Sequence, residues 1–274
     1  MKRLFALILA LVMCLPFCGC SKEESKTTEQ KEAKTVEEGV KSTVDEVKKT
    51  EVPKEKVCVL VKSESINASG RVIMENDYEY NDDGELVTSS EAHYTYEYEF
   101  DKNDALTEAR RLEGGKVNEV YTFNDKGYIT KITHFYTDNG KMGWWHEYEY
   151  DETGKVITYI DYWGSGELDD KRLYTYREDG TCEKITCYEA EDTLLYITDC
   201  DEKGMPKFTQ YYNAKAPSYT YEYKYDIYGN LTETVQYFGF STREQSRYRY
   251  TYAVIEVTAL QKMIIEAKNR TSPN

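Results

Sequence analysis

Histidine is nearly absent from this chain: its 274 residues hold only His93, His134 and His146. Basic residues are outnumbered, with 35 Lys and Arg against 50 Asp and Glu and a net charge of −15. That balance excludes a nucleic acid held by its phosphates, which needs Lys and Arg to displace counterions. The chain has no Gly-x-Ser-x-Gly, no His-Glu-x-x-His, no phosphate-binding glycine loop and no Cys-x-x-Cys. Nucleophilic catalysis needs a nucleophile, a base and an orienting group. No such set stands out, so neither an enzyme nor a cofactor nor a metal site is expected. The three histidines fall on separate stretches, and each is expected as an exposed strand residue. Acid pairs such as Asp82-Asp83 and Asp169-Asp170 could suggest Ca²⁺ or a glycosidase pair; they are expected as turn punctuation instead.

Aromatic residues are missing from residues 21–56, where Lys and Glu dominate. Such a segment cannot bury enough apolar surface to offset its ordering entropy. It is expected as a solvated tether. Before it, Lys2 and Arg3 precede an apolar run, Leu4 to Phe17, that is too short to span a bilayer. The run ends in "FCGCSKEES", with Gly19 before Cys20. This resembles the lipobox of bacterial lipoproteins, although Phe17 stands where Leu is usual. The resemblance implies cleavage before Cys20, lipidation of its sulfur and an extracytoplasmic, membrane-anchored address. An ordinary secretory signal that happens to contain cysteines is the other reading. The expected layout is a signal peptide over 1–19, Cys20 and its tether over 20–56, a folded domain over 57–257 and a short helix and tail over 258–274.

Tyrosine is what the chain has in excess. All 27 lie between Tyr78 and Tyr252. They recur in one phrase: "YEYNDDGEL", "YEFDKNDAL", "YTFNDKGYI", "YEYDETGKV", "YTYREDGTC", "ITDCDEKGMP" and "YKYDIYGNL", then "YRYTYAVIEV" without the turn. The anchors are Asn81, Asp101, Asn124, Asp151, Arg177, Asp201, Asp226 and Thr251, spaced 20 to 27 residues apart. Tyr-x-Tyr puts two rings on one face of a strand. Asp or Asn then opens a turn by accepting from backbone amides, and Gly supplies a positive φ. Asp104 stands in for Gly in the second unit, a poorer left-handed residue. An aliphatic residue starts the return strand. Each phrase is one hairpin, repeated. The aromatic column Phe100, Phe123, Tyr150, Tyr176, Tyr225 and Tyr250 is expected on the packed face. Glu97, Glu99, Glu149 and Glu222 are expected to meet water.

The pattern Tyr-x-Tyr-Asp-x-x-Gly-x-Leu-Thr, clearest in "YKYDIYGNLTETV", resembles the YD repeat of Rhs-type proteins, over roughly residues 70 to 252. The resemblance implies an antiparallel strip of hairpins that curls into a shell, enclosing a toxin in large members. This chain has few repeats for that. The fold class is therefore all-β: a long antiparallel meander of about eight hairpins, curled or rolled, since an open twisted sheet rarely exceeds about ten strands. Curling, folding over and closing stay open. Residues 258–269, "TALQKMIIEAKN", put Leu260, Met263, Ile264 and Ala267 on one helical face. A short helical cap is expected, with a continuing strand as the alternative.

Two side-chain groups depart from the repeat. All three tryptophans, Trp144, Trp145 and Trp163, fall in one hairpin with His146 and Tyr162. Such a cluster can stack sugars, cradle a quaternary amine or anchor a partner. It can equally be a hydrophobic plug under a loop. Cys182 and Cys200 lie opposite each other if a turn is centred near Glu191. A cross-strand disulfide or a pair of buried thiols follows. The functional expectation is a non-catalytic envelope lipoprotein that binds or scaffolds an envelope protein or polysaccharide. A carbohydrate- or choline-type wall-binding module and a small relative of a toxin-encasing shell are the alternatives.

Overall fold

A computed structural model of the chain describes residues 54–89, 92–189, 192–212, 218–239, 241 and 243–271. Cys20, the signal and nearly all of the tether lie outside the described residues. The first half of the domain holds β1 (Lys54–Asn67), β2 (Val72–Tyr80), β3 (Leu86–Ser89), β4 (Tyr94–Phe100), β5 (Leu106–Glu113), β6 (Lys116–Phe123), β7 (Ile129–Phe135) and β8 (Met142–Tyr150). The second half holds β9 (Val156–Trp163), β10 (Leu168–Tyr176), β11 (Cys182–Tyr188), β12 (Leu194–Cys200), β13 (Pro206–Tyr211), β14 (Tyr219–Tyr225), β15 (Leu231–Phe238), β16 (Glu244–Thr258) and the helix α1 (Ala259–Arg270). The first strand begins at Lys54, inside the segment expected as tether.

The repeated turn explains the repeated strand. In six turns the anchor Asn or Asp accepts from the amides two and four residues on; Asp151 Oδ1 takes those of Thr153 at 2.8 Å and Lys155 at 2.9 Å. Asn81, Asp101, Asn124, Asp201 and Asp226 do the same. The turn glycine, or Asp104 at φ 62°, takes the left-handed conformation that closes it. A register shift then falls one residue into the strand, as between Glu149 and Tyr150. Pro206 is the first residue of its strand, where its missing N–H is tolerated.

Sixteen antiparallel strands form one sheet in the order β3-β2-β1-β16-β15 and then consecutively to β4. The long β1 pairs with the long β16 from Lys54↔Thr258 to Asn67↔Ser246, so the two ends of the domain are zipped together. That pairing brings the sheet edges β3 and β4 beside each other, where Thr88↔His93 forms a single bridge. The sheet therefore nearly closes into a barrel. Gly84 marks how tight the closure is. A Cβ there would sit 2.1 Å from Cγ1 of buried Val257, at the end of β16.

The tyrosine face is the inside. Glu97, Glu99, Glu149 and Glu222 are exposed on the outside, as the alternation requires. In the aromatic column Phe123 and Tyr250 are buried, whereas Phe100, on the edge strand β4, is half-exposed. The helix is not a lid on the strip's end; it packs into the inner face. Ile264 and Ala267 join Leu106, Tyr121, Phe123, Ile129, Tyr148 and Val156 in one core. Thr258 caps its N-terminus, and Lys268 and Arg270 sit in its last turn, complementing the dipole. Gln261 Nε2 donates to Tyr98 OH at 2.6 Å and to Glu85 Oε1 at 3.2 Å. The helix thus bridges the β3–β4 seam that backbone pairing leaves nearly open.

Candidate functional site

Strands β5 to β10 carry the chemistry, and strand alternation decides what faces it. On β8, Trp144, His146 and Tyr148 point inward, and Trp145 points outward. Across β9, Trp144 pairs with Trp163, His146 with Asp161 and Trp145 with Tyr162. The five residues expected as one aromatic cluster are therefore two groups, on opposite faces of the sheet. A tight turn pairing Asp151 with Gly154 would set Trp144 beside Asp161. The bulge at Tyr150 shifts the pairing and puts Trp163 there instead.

The outer pair is a structural prop. Trp145 and Tyr162 stack at 4.9 Å, and Lys131 Nζ lies 4.7 Å from the Trp145 ring centre. The Trp145 indole N–H donates to Glu147 at 3.0 Å. Its ring is already engaged, which leaves no aromatic cage for a quaternary amine.

The inner group continues into a charged wall. His134, expected as an exposed strand residue, is buried instead: it is 8% exposed and stacks on Trp144 at 4.6 Å. His146 meets it edge-on at 5.0 Å. Only His93 is exposed as expected. The inward face explains the difference: side chains of the flanking strands and Lys268 of the helix cover these positions, so polar residues are buried in pairs. Two networks result. In the first, Glu119 meets Arg111 at 2.6 Å and His134 Nδ1 at 3.3 Å, and accepts from the Tyr121 hydroxyl. Burial alone would raise the Glu119 carboxyl; Arg111, His134 and Lys268 outweigh it and hold it well below the usual carboxylate range. Lys268, from the helix, reaches over the Tyr121 ring at 4.3 Å. Desolvation pulls its ammonium down to about 8 against the opposing pull of Glu119.

In the second network, His146 Nδ1 lies 3.0 Å from Asp161 and 2.6 Å from the Tyr159 hydroxyl. Arg172 donates to Asp170 Oδ2 at 2.8 Å and covers the Tyr159 ring at 4.7 Å. Asp169 and Asp170 are not turn residues: they lie in β10, with Asp169 bulged between Leu168 and Asp170. Their carboxylates and that of Asp161 lie within 4.8 Å of one another. Burial and the two neighbouring carboxylates raise the Asp169 carboxyl, while the Trp163 indole N–H opposes this. The Arg172 guanidinium offsets part of the cluster's charge within the wall.

Among the described residues, three buried polar atoms of this wall have no hydrogen-bond partner of their own: His134 Nε2, Asp170 Oδ1 and Arg172 Nε. Above them Trp163 is 48% exposed at the barrel end away from the repeated turns. The arrangement can offer donors, carboxylate acceptors and aromatic faces to a polar ligand entering at that end. Sequence reasoning found the tryptophans but missed Glu119, His134, Asp161, Asp170 and Arg172. Cys182 and Cys200 do meet, with sulfurs 3.7 Å apart.

The fold and this wall define an all-β, nearly closed barrel with an internal helix and a polar lumen. No family model and no curated protein matches the chain. Similar solved structures include a porin-like protein from Bacteroides uniformis ATCC 8492, at 15% identity and TM-score 0.47, covering 71% of this chain and 98% of that one. A porin-like protein from Bacteroides vulgatus ATCC 8482 has 13% identity and TM-score 0.35, covering 70% and 97%. The Tc holotoxin pore of Photorhabdus luminescens has 18% identity and TM-score 0.30, covering 63% of this chain but 9% of that one. At these scores the likeness carries no function to this chain.

Proposed function

We propose that this protein is a non-catalytic envelope lipoprotein, anchored to a bacterial cell membrane through Cys20, that binds a hydroxyl-rich envelope polymer at the Trp144–Trp163 end of its barrel. The strip is read as YD repeats of the Rhs type, used here as a small closed scaffold. The observation that carries the binding reading is the wall itself. Buried polar atoms in folded proteins are almost always paired, and unpaired ones call for an explanation. Here three lie on one stretch of lumen, beneath two tryptophans. A sugar polymer supplies both hydroxyls for such atoms and flat faces for such rings. The helix packed into the lumen argues against the shell reading, because the space is already used by the chain. A scaffold for protein partners remains the second reading, supported by the exposed acidic outer face.

The test is retention of the full lipidated chain, in detergent, on purified wall polysaccharide and, separately, on envelope protein extract. Polysaccharide retention is expected for wild type and for Trp145→Ala, and its loss for Trp163→Ala. Equal retention of all three proteins, or none of any, would contradict the lumen site. Protein capture that survives Trp163→Ala, without polysaccharide binding, would favour the scaffold reading.

A further inference from the structure

We propose that Cys182 and Cys200 close an intramolecular disulfide that ties β11 to β12 at the turn end of the barrel. Three residues break the repeat here, and they are in contact. Cys200 stands where the other units have Tyr or Phe before the anchor. Cys182 stands where they have an aliphatic residue, or Pro206, two after the glycine. Arg177 takes the anchor position held elsewhere by Asp, Asn or the final Thr251.

The substitutions compensate one another. In the two preceding units the column tyrosine donates its hydroxyl to the carbonyl of the residue two after the previous glycine. Tyr150 donates to Ile129 at 2.6 Å, and Tyr176 to Val156 at 2.6 Å. The next donor in the series would be residue 200 and the next acceptor Cys182. A cysteine cannot reach. Arg177 Nη1 serves the Cys182 carbonyl instead, at 2.8 Å, and also that of Asp201 at 2.8 Å. Its Nη2 takes the Cys200 carbonyl at 2.8 Å. The turn that Arg177 can no longer cap is held by Asp179, which accepts from Thr181 at 2.8 Å. One guanidinium therefore fixes the backbone on both sides of two thiols whose sulfurs are 3.7 Å apart. A random loss of aromatic and aliphatic bulk would leave a cavity; this one leaves a facing thiol pair with its backbone clamped.

Both thiols are buried, Cys182 at 0% and Cys200 at 7% exposure. Closure therefore belongs to folding, before β11 and β12 seal. One thiolate attacks a small-molecule or protein disulfide and displaces its first thiolate. The second thiol, as its thiolate, then attacks the mixed disulfide and releases the other. The two cysteines lose two electrons and two protons, and the oxidant is reduced to two thiols. Once the strands are closed, Cys200 donates to the Cys182 sulfur and lowers its thiol, with the Arg177 charge adding to the effect. Cys187 is excluded as a partner by its place: it faces the lumen wall, where burial raises its thiol to about 12. The inference needs an oxidising compartment in the cell, so it rests in part on the extracytoplasmic reading.

Two measurements separate these dependencies. First, the reduced, purified chain is refolded with oxidised glutathione, alkylated, digested and mapped by mass. The expected product is one cross-linked peptide pair joining Cys182 and Cys200, with Cys58 and Cys187 alkylated. Free Cys182 and Cys200, or a bridge to another cysteine, would overturn the proposal. Reductant should lower the Tm of this oxidised protein and leave that of Cys182→Ser/Cys200→Ser unchanged; an equal response in both would also overturn it. Second, thiols are trapped in intact cells before lysis. The same bridge there supports the whole inference. Free thiols in cells, with closure in vitro, would overturn the compartment reading and leave the pair's geometry standing.

Discussion

Asp104 is the one repeated-turn residue other than glycine that holds a left-handed φ, at 62°. An L side chain pays roughly 1–2 kcal/mol for that conformation, somewhat less for Asp. Asp104→Gly is therefore expected to stabilise the barrel by about 1 kcal/mol, read from denaturant midpoints at unchanged m-value. A shift in the other direction would mean that the Asp side chain does more than tolerate the turn. Lys268 gives the second residue-scale expectation. Its folded pKa, about 8, lies below the ordinary 10.5, so the unfolded chain binds more protons between those values. Stability from this group is absent below about 8 and is gained as pH rises towards 10.5. Lys268→Met removes the effect. The wild-type Tm should rise relative to the variant across that window, and parallel curves would show that the ammonium is solvated. Residue identity was the least legible level in the sequence. The period of two separates Trp144 from Trp145, so their opposite facing is written in the sequence even though they are adjacent. His134 was not legible, because its burial depends on which side chains of the two flanking strands meet it: Trp144 and His146 on one side, Glu119 on the other.

The hairpin is the element the sequence states most openly. Its Tyr-x-Tyr strand, Asx turn and left-handed glycine are local, and each appears where the phrase predicts it. Register was less legible, because the bulge after each turn is a backbone property of that turn and moves every later pair. The helix shows the same limit. Leu260, Met263, Ile264 and Ala267 marked its apolar face, and the structure buries Ile264 at 5% and Ala267 at 2% exposure. Periodicity says that a face is covered, not by what. The answer is the barrel's own inner wall. Ile264→Ala is expected to cost about 2–5 kcal/mol, as for a buried aliphatic side chain. A cost near zero on thermal or chemical unfolding would place the helix outside the core.

At the scale of the molecule, closure follows from the pairing of β1 with β16. Counting repeats gave the number of strands and showed that a flat sheet was excluded. It could not show that the first strand pairs with the last, since that contact spans the whole domain and leaves no local mark. Closure is what converts an alternating strip into a lumen, and the lumen is what buries the histidines, carboxylates and arginines of β5 to β10. The ligand reading therefore stands on the barrel as much as on its tryptophans. All three tryptophans lie in the β8–β9 hairpin, so tryptophan emission, excited beyond the tyrosine absorption band, reports this region. The most direct measurement is a titration of that emission with soluble fragments of the wall polysaccharide, for wild type, Trp145→Phe and Asp170→Asn. A saturable change is expected for wild type, kept in Trp145→Phe and weakened at least tenfold in Asp170→Asn, about 1.4 kcal/mol. No change at any concentration, or the same curve for Asp170→Asn as for wild type, would contradict a ligand site in the lumen.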